Sequence, residues 1–157
     1  MEPQPVIHDT FVLERRYPAA AERVFSYFSD PAKKRRWFAD SEGNAVEVFD
    51  LDCRVGGAER TLYRMGPSTP FPGVGLATEG VVQEIAPGRR IVTATTMSLG
   101  ERRISSALIT IEIAPDGDGA TLRCTHQAAF YEGADGPAMR QDGWRKLLDR
   151  LAQALAN

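Results

Sequence analysis

The side chains that could do chemistry in this chain are few and scattered. His126 is one of only two histidines, and the two cysteines, Cys53 and Cys124, lie far apart. Neither residue type has the spacing of metal ligands, and no nucleophile elbow, phosphate loop or dinucleotide-binding glycine motif is present. The sequence therefore predicts no metal site, no cofactor and no known catalytic constellation, and it leaves His126 as the residue of most interest.

His126 stands in a segment, 120–131, in which apolar and polar residues alternate. One face carries Leu122, Cys124, His126, Ala128 and Phe130. The preceding strand, 103–114, places Ile109, Ile111 and Ile113 on one face in the same way. Because strand side chains alternate between faces, we expect His126 on the covered side of a sheet. A buried imidazole is either a satisfied core histidine, a hydrogen-bonding group for a ligand, or a base.

The strand 58–65 is less apolar than a core strand. One of its faces carries Glu59, Thr61 and Tyr63. If this face points inward, it puts polar groups on the concave side, which packed cores avoid and ligand cavities use. The opposite orientation stays open, because Gly56 and Gly57 make the register uncertain.

Three aromatic residues, Trp37, Phe38 and Trp144, have two interpretations. They form the rim of a pocket, or they are core aromatics that seal the helix ends. The basic run Lys33–Arg36 beside them is interpreted as a solvated helix face, since the total charge is slightly acidic.

The elements that position these residues follow from periodicity. Residues 137–155 form an amphipathic helix with one apolar stripe, Trp144, Leu147, Leu148, Leu151 and Leu155. A first strand is predicted at 10–17, and helices at 19–28 and 31–36, the second capped by Asp30. Further strands are predicted at 45–51, 58–65, 76–86, 90–98, 103–114 and 120–131. The order predicts an α+β fold in which a long helix lies across a curved antiparallel sheet.

The length of the chain and its net charge limit the possible functions. At 157 residues the chain is predicted to be one domain, 1–157, with 1–8 as a loose N-terminal leader. A net charge of −2 gives no general attraction to nucleic acid or to an anionic membrane, so neither is an expected partner. No signal-peptide pattern precedes the first strand, and a cytoplasmic protein with reduced thiols is the expectation.

Several motifs in register resemble a known family. They are Phe11–Phe25, Ser29–Pro31 followed by Trp37, Asp52–Gly57, Gly80–Val92, Thr121–His126 and Gly143–Trp144. In this order they resemble the bacterial proteins similar to the activator of heat shock protein ATPase, in the SRPBCC group, also called START-like or Bet v 1-like. The resemblance implies a helix-grip fold with a cavity between sheet and helix. It marks Asp52–Gly57 and Gly143–Trp144 as architectural, and it transfers no reaction.

The resemblance and the polar face together favour binding of a small hydrophobic or amphipathic molecule. The expected ligand-binding residues are Trp37, Phe38, Glu59, Thr61, Tyr63, Ile109, Ile111, His126, Phe130 and Trp144. One alternative is a cyclase or hydrolase that uses His126 with Glu59 or Tyr63 as acid and base. Another is a chaperone-interacting module with an exposed patch around residues 33–38, and a homodimer is compatible with each.

Overall fold

The structure, a computed structural model, describes residues 4–40 and 44–157. Within these ranges seven antiparallel strands form one curved sheet in the order β1-β7-β6-β5-β4-β3-β2. The strands are β1 (Ile7–Tyr17), β2 (Asn44–Leu51), β3 (Ala58–Met65), β4 (Gly75–Ala86), β5 (Arg90–Leu99), β6 (Arg102–Asp116) and β7 (Gly119–Phe130). The first strand therefore pairs with the last, and the fold is the predicted α+β helix-grip arrangement.

Short helices connect β1 to β2. They are α1 (Ala21–Ser29) and α2 (Pro31–Lys34), and a π-helical turn, Arg35–Ala39, continues α2. As predicted, the Asp30 carboxylate caps α2, accepting a hydrogen bond from the backbone N–H of Ala32 at 2.9 Å. A π turn inserts an extra residue and changes the direction of the side chains that follow. This turn directs Trp37 inward, where its indole N–H donates to the Tyr27 carbonyl at 2.8 Å.

The long C-terminal helix, α3 (Pro137–Ala156), covers the concave face of the sheet. Its predicted apolar stripe is confirmed, with Trp144, Leu148, Leu151 and Leu155 buried. The Tyr17 hydroxyl at the end of β1 donates to the Leu148 carbonyl at 3.0 Å and ties helix to sheet. None of the helices in the described ranges combines the length and the apolarity that a membrane crossing requires.

Bulges and one tight turn give the sheet its curvature. Pairing shifts register between Val82 and Glu84 and between Met97 and Ser98, and such bulges bend a strand. The turn at Asp52–Gly57 closes tightly, because a Cβ atom on Gly57 would lie 1.9 Å from the Asp52 carbonyl oxygen. Only glycine fits this position, which agrees with the expectation that the motif is architectural.

Some boundaries differ from the prediction. The first strand begins at Ile7 rather than Thr10, because β7 extends to Phe130 and offers Ile7 a pairing partner there. The first helix begins at Ala21 rather than Ala19, since Ala20 is the N-cap and has extended backbone angles.

Candidate functional site

A cavity of about 260 Å³ lies between the concave face of the sheet and the helices. Apolar side chains make up most of its wall, which includes Phe28, Leu51, Leu76, Val82, Met97 and Leu147. Threonines of β4 and β5, Thr78, Thr93 and Thr95, add hydroxyl groups to the floor. The arrangement is an apolar chamber with a few placed polar groups, which is the usual composition of a small-molecule site.

Most of the residues predicted from the sequence to bind a ligand line this cavity. From the helical side these are Trp37, Phe38 and Trp144. From the sheet they are Glu59, Tyr63, Ile109, Ile111 and His126. Thr61 and Phe130 do not line it. Thr61 is buried beside Thr78 of the neighbouring strand, and Phe130 is buried under the guanidinium of Arg140, 5.0 Å from its ring centroid.

His126 is enclosed almost completely, with 1% of its surface exposed. Its ring stacks on Phe11, and Nδ1 has no hydrogen-bond partner within the described residues. The pKa of His126 is lowered to about 4, chiefly by burial and also by the positive charge of Arg140, while Asp135 opposes the shift. The imidazole is therefore neutral at pH 7.

The geometry around His126 bears on the acid–base alternative. Among the described residues, no carboxylate or phenol is hydrogen-bonded to the imidazole. Glu59 bonds to Lys34 instead, and the Tyr63 hydroxyl donates to the Phe38 carbonyl at 2.8 Å. Burial raises the pKa of Tyr63 to about 12, so this phenol stays protonated and holds the π turn against the sheet.

Lys34 and Glu59 form an ion pair in the cavity wall that was not predicted from the sequence. Lys34 Nζ lies 3.1 Å from Glu59 Oε2, and the two side chains are 11% and 14% exposed. The ammonium also lies 4.6 Å from the ring centroid of Phe38, at cation–π distance. The prediction that residues 33–36 form a solvated face is thus wrong for Lys34, although Arg35 and Arg36 are exposed. The spacing of Lys34 and Phe38, four residues apart, was the available signal.

Arg140 and Asp135 form a second ion pair at the cavity, also not predicted from the sequence. Arg140 is buried on α3, and its Nε and Nη2 each lie 2.8 Å from an oxygen of Asp135. Its Nη2 also donates to Ser105 Oγ at 3.0 Å. Arg140 lies one turn before Trp144 on the apolar side of the helix, and that position was the signal for its burial.

Two further residues at the cavity do not provide reactive groups. Cys53 lines the wall, and burial raises the pKa of its thiol, so the nucleophilic thiolate is disfavoured. Gly143 also lines the cavity, and a Cβ atom there would meet nothing within 4 Å. Its architectural role, expected from the resemblance, is therefore not a matter of close packing.

Comparison with known proteins identifies relatives over nearly the whole chain. The family described as Activator of Hsp90 ATPase homolog 1-like protein matches residues 18–156. A solved protein of Rhizobium loti is 38% identical, with a TM-score of 0.84, over 96% of this chain and 99% of its own. One from Rhizobium leguminosarum is 34% identical, with a TM-score of 0.89, over 97% of each chain. One from Chromobacterium violaceum is 30% identical, with a TM-score of 0.75, over 92% of this chain and 94% of its own. No curated protein shows significant similarity.

Proposed function

Because the chain belongs to the family described as Activator of Hsp90 ATPase homolog 1-like protein, we propose that it binds a small, uncharged, largely apolar molecule in the cavity between sheet and helices. The observation that carries this proposal is the apolar cavity itself, with Trp37, Phe38 and Trp144 on one side and strand residues on the other. Family membership supports the fold around the chamber and names no ligand.

Size limits the ligand. Pockets for drug-sized molecules occupy roughly 300–1,000 Å³, and this cavity, at about 260 Å³, lies just below that range. The driving force comes from apolar burial, worth about 25 cal/mol for each Å² removed from water. A compact molecule of one or two fused rings, or an equivalent short chain, matches the chamber.

Charge further limits the ligand. The ammonium of Lys34 is neutralised by Glu59, and the guanidinium of Arg140 is neutralised by Asp135. A charged ligand would have to break one of these pairs or enter without a counter-ion, and burying an unpaired charge is costly. The cavity therefore favours neutral molecules over carboxylates and amines.

The alternatives from the sequence have less support. A general base works best with a pKa near the working pH, and the pKa of His126 is about 4, with no carboxylate oriented against it in the described residues. The proposed chaperone patch around residues 33–38 loses its apolar members, because Trp37 is buried and Phe38 faces the cavity. What remains exposed there is Arg35 and Arg36.

The test places a bulky side chain in the cavity at one position and, as a control, on the opposite face of the same strand. Ile109 lines the cavity, whereas Leu108 is 38% exposed on the opposite face of the same strand. We expect the wild type and Leu108→Trp to bind neutral naphthalene derivatives by calorimetry and Ile109→Trp to lose this binding while staying folded by circular dichroism. Native mass spectrometry of freshly purified protein adds a search for a bound molecule. Unchanged binding in a folded Ile109→Trp variant would refute the cavity as the site.

A further inference from the structure

We propose that His126 recognises an acceptor oxygen on the ligand by donating a hydrogen bond from Nε2–H. This inference rests on the proposed binding function and adds the chemical group that the ligand must carry. It follows from the position of His126 in the cavity wall and from the unequal surroundings of its ring nitrogens.

The two ring nitrogens of His126 differ in whether a ligand can reach them. Nδ1 is fully enclosed by protein and has no partner within the described residues. Nε2 makes no hydrogen bond within the described residues either, yet it is not among their enclosed atoms without a partner, so it borders open space, and His126 lines the cavity. The cavity is therefore the side from which a hydrogen-bonding group can reach the ring.

The surroundings of the two ring nitrogens also decide which of them carries the proton of the neutral imidazole. A neutral imidazole has one N–H and one bare nitrogen. Placing the proton on Nδ1 would create a buried N–H without an acceptor in hydrogen-bond geometry, since even the backbone of His126, which acts to raise the pKa of the ring, does not meet Nδ1 in that way. Among backbone groups a buried N–H without a partner is rarer than an under-satisfied acceptor, and the same preference applies here. The proton therefore belongs on Nε2, and the group offered to the cavity is a donor. A ligand meets it with a carbonyl, ether or hydroxyl oxygen.

The imidazole ring of His126 is held in place by its aromatic neighbours. The His126 ring stacks on Phe11 with centroids 4.6 Å apart, and Phe130 and Trp144 lie at 6.5 and 6.4 Å. This aromatic enclosure holds the ring plane and fixes the direction of the N–H. Because the donor is already oriented, little rotational freedom is lost on binding.

The expected size of the effect follows from hydrogen bonding between neutral groups. Such a bond adds a net factor of roughly 3–10 to an equilibrium constant, and a bound molecule without an acceptor also leaves the buried N–H unpaired. We expect an acceptor-bearing ligand to bind about tenfold more tightly than a molecule of the same shape that lacks the oxygen.

The experiment uses two neutral probes of nearly equal shape, 2-acetylnaphthalene and 2-isopropenylnaphthalene, which differ by an oxygen in place of a CH₂ group. Calorimetry on the full chain is expected to give about tenfold tighter binding of the acetyl compound. In His126→Phe, which keeps an aromatic ring against Phe11, the ratio of the two constants is expected to fall to about one. Thermal unfolding of the variant verifies that it is folded.

A second measurement needs no variant. Long-range ¹H–¹⁵N spectra of the wild type are expected to show the Nε2–H tautomer, with a resonance that shifts on adding 2-acetylnaphthalene. The Nδ1–H tautomer would overturn the inference even if His126→Phe fails to fold. Equal binding of both probes to the wild type, or a preference that survives in His126→Phe, would also overturn it and leave the proposed function standing. Binding of neither probe would refute both.

Discussion

His126 lies face to face with Phe11, with ring centroids 4.6 Å apart and planes only 9° from parallel. The two residues belong to adjacent strands and stand directly opposite each other in the register. A neutral imidazole stacks in this position without burying a charge, whereas an imidazolium would be a buried charge close to the cation of Arg140. This pair therefore links the protonation of one residue to the stability of the fold.

The first prediction is a loss of stability in mild acid that depends on His126. Its pKa is lowered from 6.5 to about 4 in the folded chain, chiefly by burial, with Arg140 adding to the shift and Asp135 opposing it. Between those values the unfolded chain binds a proton that the folded chain does not, so the free energy of unfolding decreases as the pH falls. At about 1.36 kcal/mol per pH unit, the loss from pH 7 to pH 5 is about 2 kcal/mol.

The measurement is urea unfolding at pH 7, 6 and 5 for the wild type and His126→Phe. The carboxylates are common to both proteins, so the difference between their pH slopes isolates His126. The same slope in both proteins would show that the histidine does not contribute.

The second prediction concerns the buried pair of Arg140 and Asp135. Replacing Arg140 by Met leaves a largely buried carboxylate without its partner, and we expect a loss of about 3 kcal/mol. Removing the charge as well, in Asp135→Asn with Arg140→Met, should recover about half of that loss. Thermal or urea unfolding measures both variants.

The control for this pair is Arg123→Met, which breaks an exposed ion pair with Glu14 at 57% and 62% exposure. Exposed pairs contribute about 1 kcal/mol or less. A loss in Arg140→Met no larger than in Arg123→Met would contradict the assigned role of the buried pair.

The third prediction is a change in the charge preference of the cavity. In Glu59→Gln, the ammonium of Lys34 loses its counter-ion within the cavity wall. We expect this variant to bind the anion 2-naphthoate, because the ligand carboxylate takes the place of Glu59, and we expect the wild type to exclude it. Calorimetry with 2-naphthoate and 2-acetylnaphthalene measures the change.

A matched control is Glu79→Gln on the neighbouring strand, where Glu79 pairs with Arg60 and the side chains are 54% and 51% exposed. This variant should leave the preference unchanged. If both variants exclude 2-naphthoate equally, the Lys34 and Glu59 pair does not set the charge of the ligand.

The fourth prediction compares two glycines of the family motifs. Gly143 lies within α3, and a Cβ atom there has open space, so Gly143→Ala should stabilise the protein by about 0.5–1 kcal/mol through helix propensity. Gly57→Ala places a methyl group against the Asp52 carbonyl and should destabilise by several kcal/mol or prevent folding. Differential scanning calorimetry compares the unfolding temperatures of the wild type and the two variants. A lower unfolding temperature for Gly143→Ala than for the wild type would contradict the prediction for that position.

Most of what could be predicted from the sequence came from the alternation of side chains between the two faces of each strand. The two-residue period placed His126 on the covered face, where the structure has it. For strand 58–65 the period grouped Glu59 with Tyr63 but left open which face points inward, and in the structure both line the cavity. It worked because a strand has only two faces, so one buried face fixes the other. The apolar stripe of α3 was predictable for a similar reason.

The helical side of the cavity was less predictable. Lys34 lies at the end of α2 and pairs with Glu59 of β3, and the basic run alone does not show which of its members will find such a partner. The place of Arg140 on the apolar side of α3 indicated its burial, but its hydrogen bond to Ser105 of β6 is a tertiary contact that the local sequence does not show. The volume of the cavity is the space that side chains from many elements fail to fill, so no single segment encodes it.

The pairing of β1 with β7 has a consequence for how the protein is made. Tyr17 of β1 pairs with Ala120 of β7. During synthesis β1 therefore leaves the ribosome long before the strand with which it pairs. Until then the apolar face of β1, with Phe11 and Leu13, has no neighbour, and such non-local pairing slows folding. Helix α3, which covers the cavity, follows β7 in the chain, so the cavity is complete only after α3 has been made and has packed on the sheet.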